Sequence, residues 1–279
     1  SRASSTACFR VPELTRGRQL GMSRRPLFLL ANDDGFRASG LNALRAALLP
    51  HADIIVCAPD SEQSASSHSL SLHRPLRLSE HGSGIFSIDG TPADCVYTAF
   101  FAGARILPRR PDLVLSGLNH GANLGDDVFY SGTVAAAREG ALRGVPALAL
   151  SSGATEEADR AAAAQEAANI ALALFRVQPT GPLLLNVNIP PKRGAWRYRS
   201  TRLGGRFYTD EVEFRKDPRG REYLWLGGPG VEHRPLLGSD TEAYDAGEIG
   251  LTPLVLDLWA SGAAQHAEQV VAELSTAAR

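Results

Sequence analysis

Short apolar runs constrain the fold of this chain more than any other feature: residues 27–31, 54–58, 113–116, 147–151 and 183–189. Each is bounded by turn residues, and stretches of helical period lie between them. The runs lack the apolar–polar alternation of a sheet wetted on one side, so each strand must be covered on both faces. Strands and helices in that order predict an α/β fold, a Rossmann-like three-layer sandwich with a mostly parallel sheet. After the first run, Leu41, Leu44, Leu48 and Leu49 recur at helical spacing and stop at Pro50, which makes this segment the crossover helix. Thr91-Pro92-Ala93-Asp94 supplies a hydroxyl N-cap, a proline at the first helical position and an acid at the third, and so starts a helix over 95–102. Ser131 precedes 133–142 in the same way, and the alanine-rich stretch 156–175 reads as one longer helix.

The texture changes after Pro190. Residues 207–214 and 222–226 flank Asp217-Pro218-Arg219-Gly220, a turn-rich tetrapeptide that reads as the tip of a long hairpin. A two-stranded ribbon is marginal in water by itself, so the hairpin is expected to protrude and pack on another subunit, with the C-terminal helix 260–278 as a second oligomerisation element. The chain is therefore expected to divide into a non-native or disordered extension over 1–21, ahead of Met22, an α/β catalytic core over 22–190, and a segment 191–279 holding the hairpin arm, a returning strand and the C-terminal helix.

Charge and cysteine usage exclude several partners. Twenty-nine basic against 30 acidic side chains leave a net charge of −1, too little for wrapping a phosphate backbone, so duplex nucleic acid is not an expected partner. Cys8, Cys57 and Cys95 are too scattered for a zinc or C-x-x-C site and read as reduced thiols. No run approaches the roughly 18 apolar residues of a membrane span, and the N-terminal residues lack a signal-like apolar middle. A cytoplasmic setting is expected.

The chemistry gathers where the strands end. Asn32-Asp33-Asp34-Gly35 follows the first run directly, at the carboxyl edge where open α/β sheets place ligands. Each aspartate would repel a phosphate dianion about 5 Å away by roughly 7 kcal/mol at an effective dielectric constant of about 20. A divalent cation cancels that repulsion, supplies Lewis acidity and lowers the pKa of its water, so the pair suits one Mg²⁺ or Mn²⁺ per subunit. The bland reading is a solvated turn capping the next helix. Its company argues against that: a hydroxyl-dense loop over 58–69, a loop of alternate glycines over 116–125, and Ser131-Gly132-Thr133 at a helix start, where free amides and hydroxyls can hold phosphate oxygens. Asn32 and Asn123 are candidates for orienting water or the ester oxygen. His68 is read as a loop-bonding histidine before a general acid.

These blocks resemble the SurE (survival protein E) family of 5′-nucleotidases, whose pattern runs N-D-D-G, A-P-x-x-x-x-S, G-T-P-x-D-C, S-G-x-N-x-G-x-N-x-G and S-G-T. The blocks match in order over 27–152, and Leu185-Asn186-Val187-Asn188-Ile189-Pro190, Asp217-Pro218-Arg219-Gly220 and Thr252-Pro253-Leu254 carry the resemblance further. It implies a metal held by Asp33, Asp34, Ser64 and Asn119, a phosphoryl group gripped by Ser131, Gly132 and Thr133, and hydrolysis of a nucleoside monophosphate or other small phosphomonoester by metal-activated water that Asp33 or Asp34 positions. A homodimer or homotetramer is expected. The chain departs from the pattern at Gln63 and Ala65, where arginine and glycine are common, at His120 and Ala122, and at Glu248 and Gly250, where the family's G-Y-V-S-x-T-P-L carries an aromatic and a serine. Two other readings compete: a non-catalytic nucleotide or metal sensor, and a dinucleotide-dependent oxidoreductase. The second is disfavoured because the first strand leads into N-D-D-G and not G-x-G-x-x-G.

Overall fold

The structure, a computed structural model, describes residues 24–82, 84–191, 195–208, 212–226, 231–234 and 236–277. The extension expected over 1–21, Cys8 within it, and residue 278 of the expected C-terminal helix lie outside the described residues.

The apolar runs become β1 (Leu27–Ala31), β2 (Asp53–Pro59), β5 (Leu113–His120), β6 (Ala147–Ser152) and β7 (Leu184–Ile189). Two short strands that the sequence pattern does not announce, β3 (Leu78–Glu80) and β4 (Ile85–Ile88), extend one edge. At the other edge lie β8 (Tyr198–Ser200) and the returning strand β13 (Ile249–Leu254). The nine strands form one sheet in the order β3-β4-β2-β1-β5-β6-β7-β13-β8. All pairs are parallel except β3 with β4 and β7 with β13.

Both faces of the central strands are covered, which is why those strands are largely apolar while the edge strands β3 and β8 are not. Phe28 and Leu30 of β1 pack with α1 (Ser39–Leu48) and α4 (Glu157–Val177) on one side. Leu27, Leu29 and Ala31 pack with α2 (Pro92–Phe101) and α3 (Gly132–Leu142) on the other. The alanines of α4 let that helix lie close to the sheet: Ala163, Ala164, Ala167, Ala168 and Ala171 are all buried. Both expected helix starts form. Thr91 and Asp94 make a reciprocal capping box, and the Ser131 hydroxyl accepts a hydrogen bond from the Val134 amide at 3.1 Å.

β5 runs farther than its apolar core. Its register with β6 shifts between Ser116 and Asn119, an irregularity of the kind that re-aims side chains beside functional sites. The arm is a two-part ribbon: β9 (Gly205–Tyr208) pairs with β12 (Val231–Arg234), and β10 (Val212–Lys216) pairs with β11 (Glu222–Leu226) around the Asp217 turn. Phe214, Tyr223, Leu224 and Trp225 of the arm are exposed. A short helix, α5 (Asp240–Asp245), and the C-terminal helix α6 (Ala264–Ala277) complete the chain, and Val270, Val271 and Leu274 of α6 are exposed as well. No helix among the described residues is long and apolar enough to cross a membrane.

Candidate active site

β1 ends at Ala31, and the chain turns through Asn32, Asp33, Asp34 and Gly35 at the carboxyl edge of the sheet. Gly35 sits at φ +94°, which side-chain-bearing residues rarely adopt. The Asn32 amide closes the turn by donating to the Gly35 carbonyl at 2.9 Å. Its carbonyl oxygen, Oδ1, is buried with no hydrogen-bond partner among the described residues.

Asp33 is 6% exposed and faces the start of α3. The Thr133 hydroxyl donates to its Oδ1 at 2.5 Å and the Thr133 amide donates to its Oδ2 at 3.1 Å. Gly132 is required for this approach: a Cβ there would lie 2.8 Å from the Asp33 Cβ and 3.0 Å from the Pro92 ring. The positive end of α3 and these two donors favour the carboxylate. Burial works against them and is the larger effect; with Asp34 adjacent, it pushes the Asp33 carboxyl up to about 6. Asp34 is half-buried. Its Oδ2 accepts from the His120 amide at 3.4 Å, and burial, with a smaller contribution from Glu62, raises its carboxyl above the usual range.

The second loop is tied to the first, since the Gln63 amide donates to the Asp33 carbonyl at 2.8 Å. Ser64 follows on the surface, with its hydroxyl donated to Glu62 at 2.7 Å. Ala65 takes φ +57°, so the position where the resembled pattern carries glycine is left-handed here despite its side chain, at a cost of about 1–2 kcal/mol. Asn119 stands at the end of β5 and donates to the Gly121 carbonyl at 3.0 Å.

Asn123 is placed differently from the other candidates. It is buried in a polar cluster, where its amide side chain donates to Ser151 at 2.8 Å, its backbone amide donates to Asn188 at 2.8 Å, and its carbonyl accepts from Asn186 at 2.8 Å and Asn188 at 2.9 Å. Those contacts hold the 121–127 loop to β6 and β7. Ser131 is similarly committed, as the N-cap of α3, and is 8% exposed. The sequence reading missed Asn186 and Asn188 as site-building residues, and it missed Glu139, a buried acid of α3 whose Oε2 lies 3.0 Å from His68 Nε2. That contact accords with a loop-bonding role for His68.

The residues fit a divalent cation. Among the described ion pairs none involves Asp33 or Asp34, and the charge of His120 offsets only a small part of the burial of Asp34, so two desolvated carboxylates stand without an ion-pair partner among the described residues. The unpartnered oxygen of Asn32 adds a hard neutral donor nearby. No group of three or more His, Cys, Asp or Glu side chains is arranged to hold a metal among the described residues. A cation here would therefore draw on two carboxylates and neutral oxygens, the donor set magnesium and manganese prefer. Beside Asp34 opens a cleft of about 340 Å³, walled by Ser39, Leu118, Asn119, His120, Ser152 and Arg160.

Fold and site together define a doubly wound α/β protein with an acidic βα loop set against a helix start. Residues 28–210 match the family model described as "Survival protein SurE". The protein named 5′-nucleotidase SurE of Sorangium cellulosum is 62% identical over 247 residues, covering 87% of this chain and 93% of that protein. Its namesake in Anaeromyxobacter dehalogenans (strain 2CP-C) is 52% identical over 236 residues, 82% of this chain and 89% of that one. The crystal structure of the SurE protein from Aquifex aeolicus superposes with a TM-score of 0.76 at 35% identity, covering 88% of this chain and 99% of that one. The chain belongs to the SurE family.

Proposed function

We propose that this chain is a divalent-metal-dependent 5′-nucleotidase that hydrolyses nucleoside monophosphates to nucleoside and phosphate. The observation that carries this reading is the adjacent pair Asp33 and Asp34, both desolvated and without an ion-pair partner among the described residues, with Asp33 set against the positive end of α3. Relatives 62% and 52% identical over the aligned residues bear the name of that activity.

Asp33, Asp34, Ser64 and Asn119 would hold one cation per subunit, Mg²⁺ or Mn²⁺. The bound ion neutralises charge on the phosphoryl oxygens and acidifies a water. The chain's own residues do the positioning. Thr133 fixes both oxygens of Asp33, so this carboxylate is locked in one rotamer. Asp34, the more open of the two, accepts a hydrogen bond from the attacking water and so orients its lone pair toward phosphorus. Ser131 and Gly132 present the start of α3 to the phosphoryl oxygens. The bond between phosphorus and the ester oxygen breaks as the new bond to water oxygen forms, and one proton given up by the water ends on the departing oxygen, so that nucleoside and hydrogen phosphate are the products. The leaving nucleoside lies in the cleft beside Asp34, whose volume falls within the range of small-molecule sites. Asn32 and Asn123 support the site from beneath, Asn32 with its unpaired oxygen and Asn123 through the loop it anchors.

Two further elements of the reading concern setting. The exposed aromatic ribbon and the apolar face of α6 support assembly as a homodimer or homotetramer, because among the described residues no further strand or helix covers either surface. The free, buried thiols of Cys57 and Cys95 accord with a cytoplasmic protein. A metal or nucleotide sensor is distinguished from an enzyme by product. The test is phosphate release from a panel of nucleoside monophosphates with Mg²⁺, Mn²⁺ or chelator present. Hydrolysis should vanish on chelation and return with either ion, and undiminished turnover after exhaustive metal removal would falsify the proposal.

A further inference from the structure

The loop that carries Ser64 is fastened at both ends to the two walls of the site. At one end the Gln63 amide donates to the Asp33 carbonyl at 2.8 Å. At the other, the Ser67 amide donates to the Tyr130 carbonyl at 3.0 Å and the Ser67 hydroxyl to the Phe129 carbonyl at 2.7 Å, next to the start of α3. Between these anchors Ala65 and Ser67 both take positive φ, +57° and +51°, a path that side-chain-bearing residues keep only where their surroundings fix it.

The next residue, His68, reaches into the protein. Its Nε2 lies 3.0 Å from Oε2 of Glu139, a carboxylate that is 2% exposed within α3. The other oxygen of Glu139 is 2.9 Å from Arg143 Nε, whose guanidinium in turn lies over the rings of Tyr97 and Phe101 in α2, at 5.6 and 5.5 Å from their centroids. Glu139 is thus a fixed post: α3 carries it, Arg143 braces it against α2, and α3 also carries Thr133, which locks Asp33.

We propose that His68 and Glu139 form a strap that holds the Ser64 loop in register with the two aspartates, which makes His68 a positioning residue for the cation. The proposal rests on the metal-dependent reading above. It explains why a loop exposed at Ser64 is tethered four residues later to a buried acid, and why a helix that begins at the site carries a carboxylate in its interior.

The test measures Mn²⁺ binding by calorimetry in nucleotide-free protein, together with thermal unfolding of each variant. His68→Leu keeps bulk and removes the contact. His68→Gln keeps a side-chain amide able to donate to Glu139. Supports of metal ligands cost about 10- to 100-fold in affinity when lost, so His68→Leu and Glu139→Gln should each weaken Mn²⁺ binding by that factor. His68→Gln should restore most of it, and the double variant His68→Leu with Glu139→Gln should lose no more than the worse single one, because the two act as a unit. A pair that merely stabilises the fold would lower the melting temperature and leave the Mn²⁺ dissociation constant within about twofold of wild type, and that result overturns the strap. Should Glu139→Gln fail to fold, Ser67→Ala removes only the hydroxyl anchor. It should weaken Mn²⁺ binding about 3- to 10-fold, and unchanged affinity there also overturns the proposal. Wild-type protein that binds no Mn²⁺ sinks the metal-dependent reading and the strap together, whereas normal wild-type binding with indifferent variants sinks the strap alone.

Discussion

Asp33→Asn should make the metal-free protein more stable and the enzyme inactive. The carboxyl of Asp33 is pushed from an ordinary 3.8 to about 6, and burial is the main cause. A folded-state pKa raised in this way means that the folded protein holds the proton more tightly than the unfolded chain. Stability from this group is full below pH 3.8 and is lost as pH rises through about 6. The difference, at about 1.4 kcal/mol for each tenfold, is about 3 kcal/mol of strain carried by ionised Asp33 at neutral pH. Asparagine removes the charge and keeps the shape: its carbonyl oxygen accepts from the Thr133 amide, and the Thr133 hydroxyl rotates to accept from its NH₂. Urea unfolding in excess chelator, at one protein concentration and at pH 5 to 8, measures the effect. At pH 8 the variant should exceed wild type by about 3 kcal/mol, the gap should narrow to about half of that at pH 5, and added Mg²⁺ or Mn²⁺ should stabilise wild type alone. A variant no more stable than wild type at pH 8 in chelator would show that Asp33 is not under desolvation strain and would remove the main physical argument for a cation beside it.

Thr133→Val removes a hydroxyl that holds the Asp33 pKa down, so the carboxyl should rise further and the pH at which Mn²⁺ binding develops should move upward; calorimetry at pH 5 to 8 with an unmoved profile would place the hydroxyl's effect elsewhere. Deleting residues 210–224 removes most of the exposed aromatic ribbon and should shift the protein toward monomer, and an unchanged mass by light scattering would count against the arm as an assembly element.

Most of the sheet was legible because its strands are buried on both faces. β1, β2, β5, β6 and β7 are built on short, mostly apolar runs bounded by turn residues, though Asn186 and Asn188 interrupt the last. β3, β4 and β8 escaped notice for the opposite reason. Leu78-Ser79-Glu80 and Tyr198-Arg199-Ser200 are three-residue edge strands with little apolar signal, and Ile85-Phe86-Ser87-Ile88 is too short to separate from a loop. At the site, adjacent aspartates after a strand and a serine before a helix are local patterns, so Asp33, Asp34 and Ser131 to Thr133 could be read in place. What Thr133 does could not: a free hydroxyl at a helix start suggests an anion, and only the fold shows that the anion in contact is Asp33. The link from His68 to Glu139 joins residues 71 apart in sequence, and the Asn123 cluster joins three strand ends, so neither leaves a periodic or local trace.

The site's chemistry and the protein's stability are set by one compromise. An aspartate in water would need no cation and would bind one weakly. Buried to 6% exposure against Gly132, Asp33 is a poor anion alone, and its two donors from Thr133 offset only part of that cost. The unfavourable ionisation, about 3 kcal/mol, is of the same size as the stabilisation a ligand gives at a hundred times its dissociation constant, about 2.7 kcal/mol. A cation at that concentration therefore returns the folded protein close to the stability it would have with a neutral side chain at residue 33. The burial that strains Asp33 also keeps water from competing for it, and the Thr133 bonds hold it in one orientation while the ion is absent. Replacing Gly132 by any larger residue would force α3 away from Asp33, admit water and relieve the strain, and the same movement would remove the positive helix end from the phosphoryl group. Stability could thus be gained at this position only by surrendering the two features on which metal binding and phosphate binding depend.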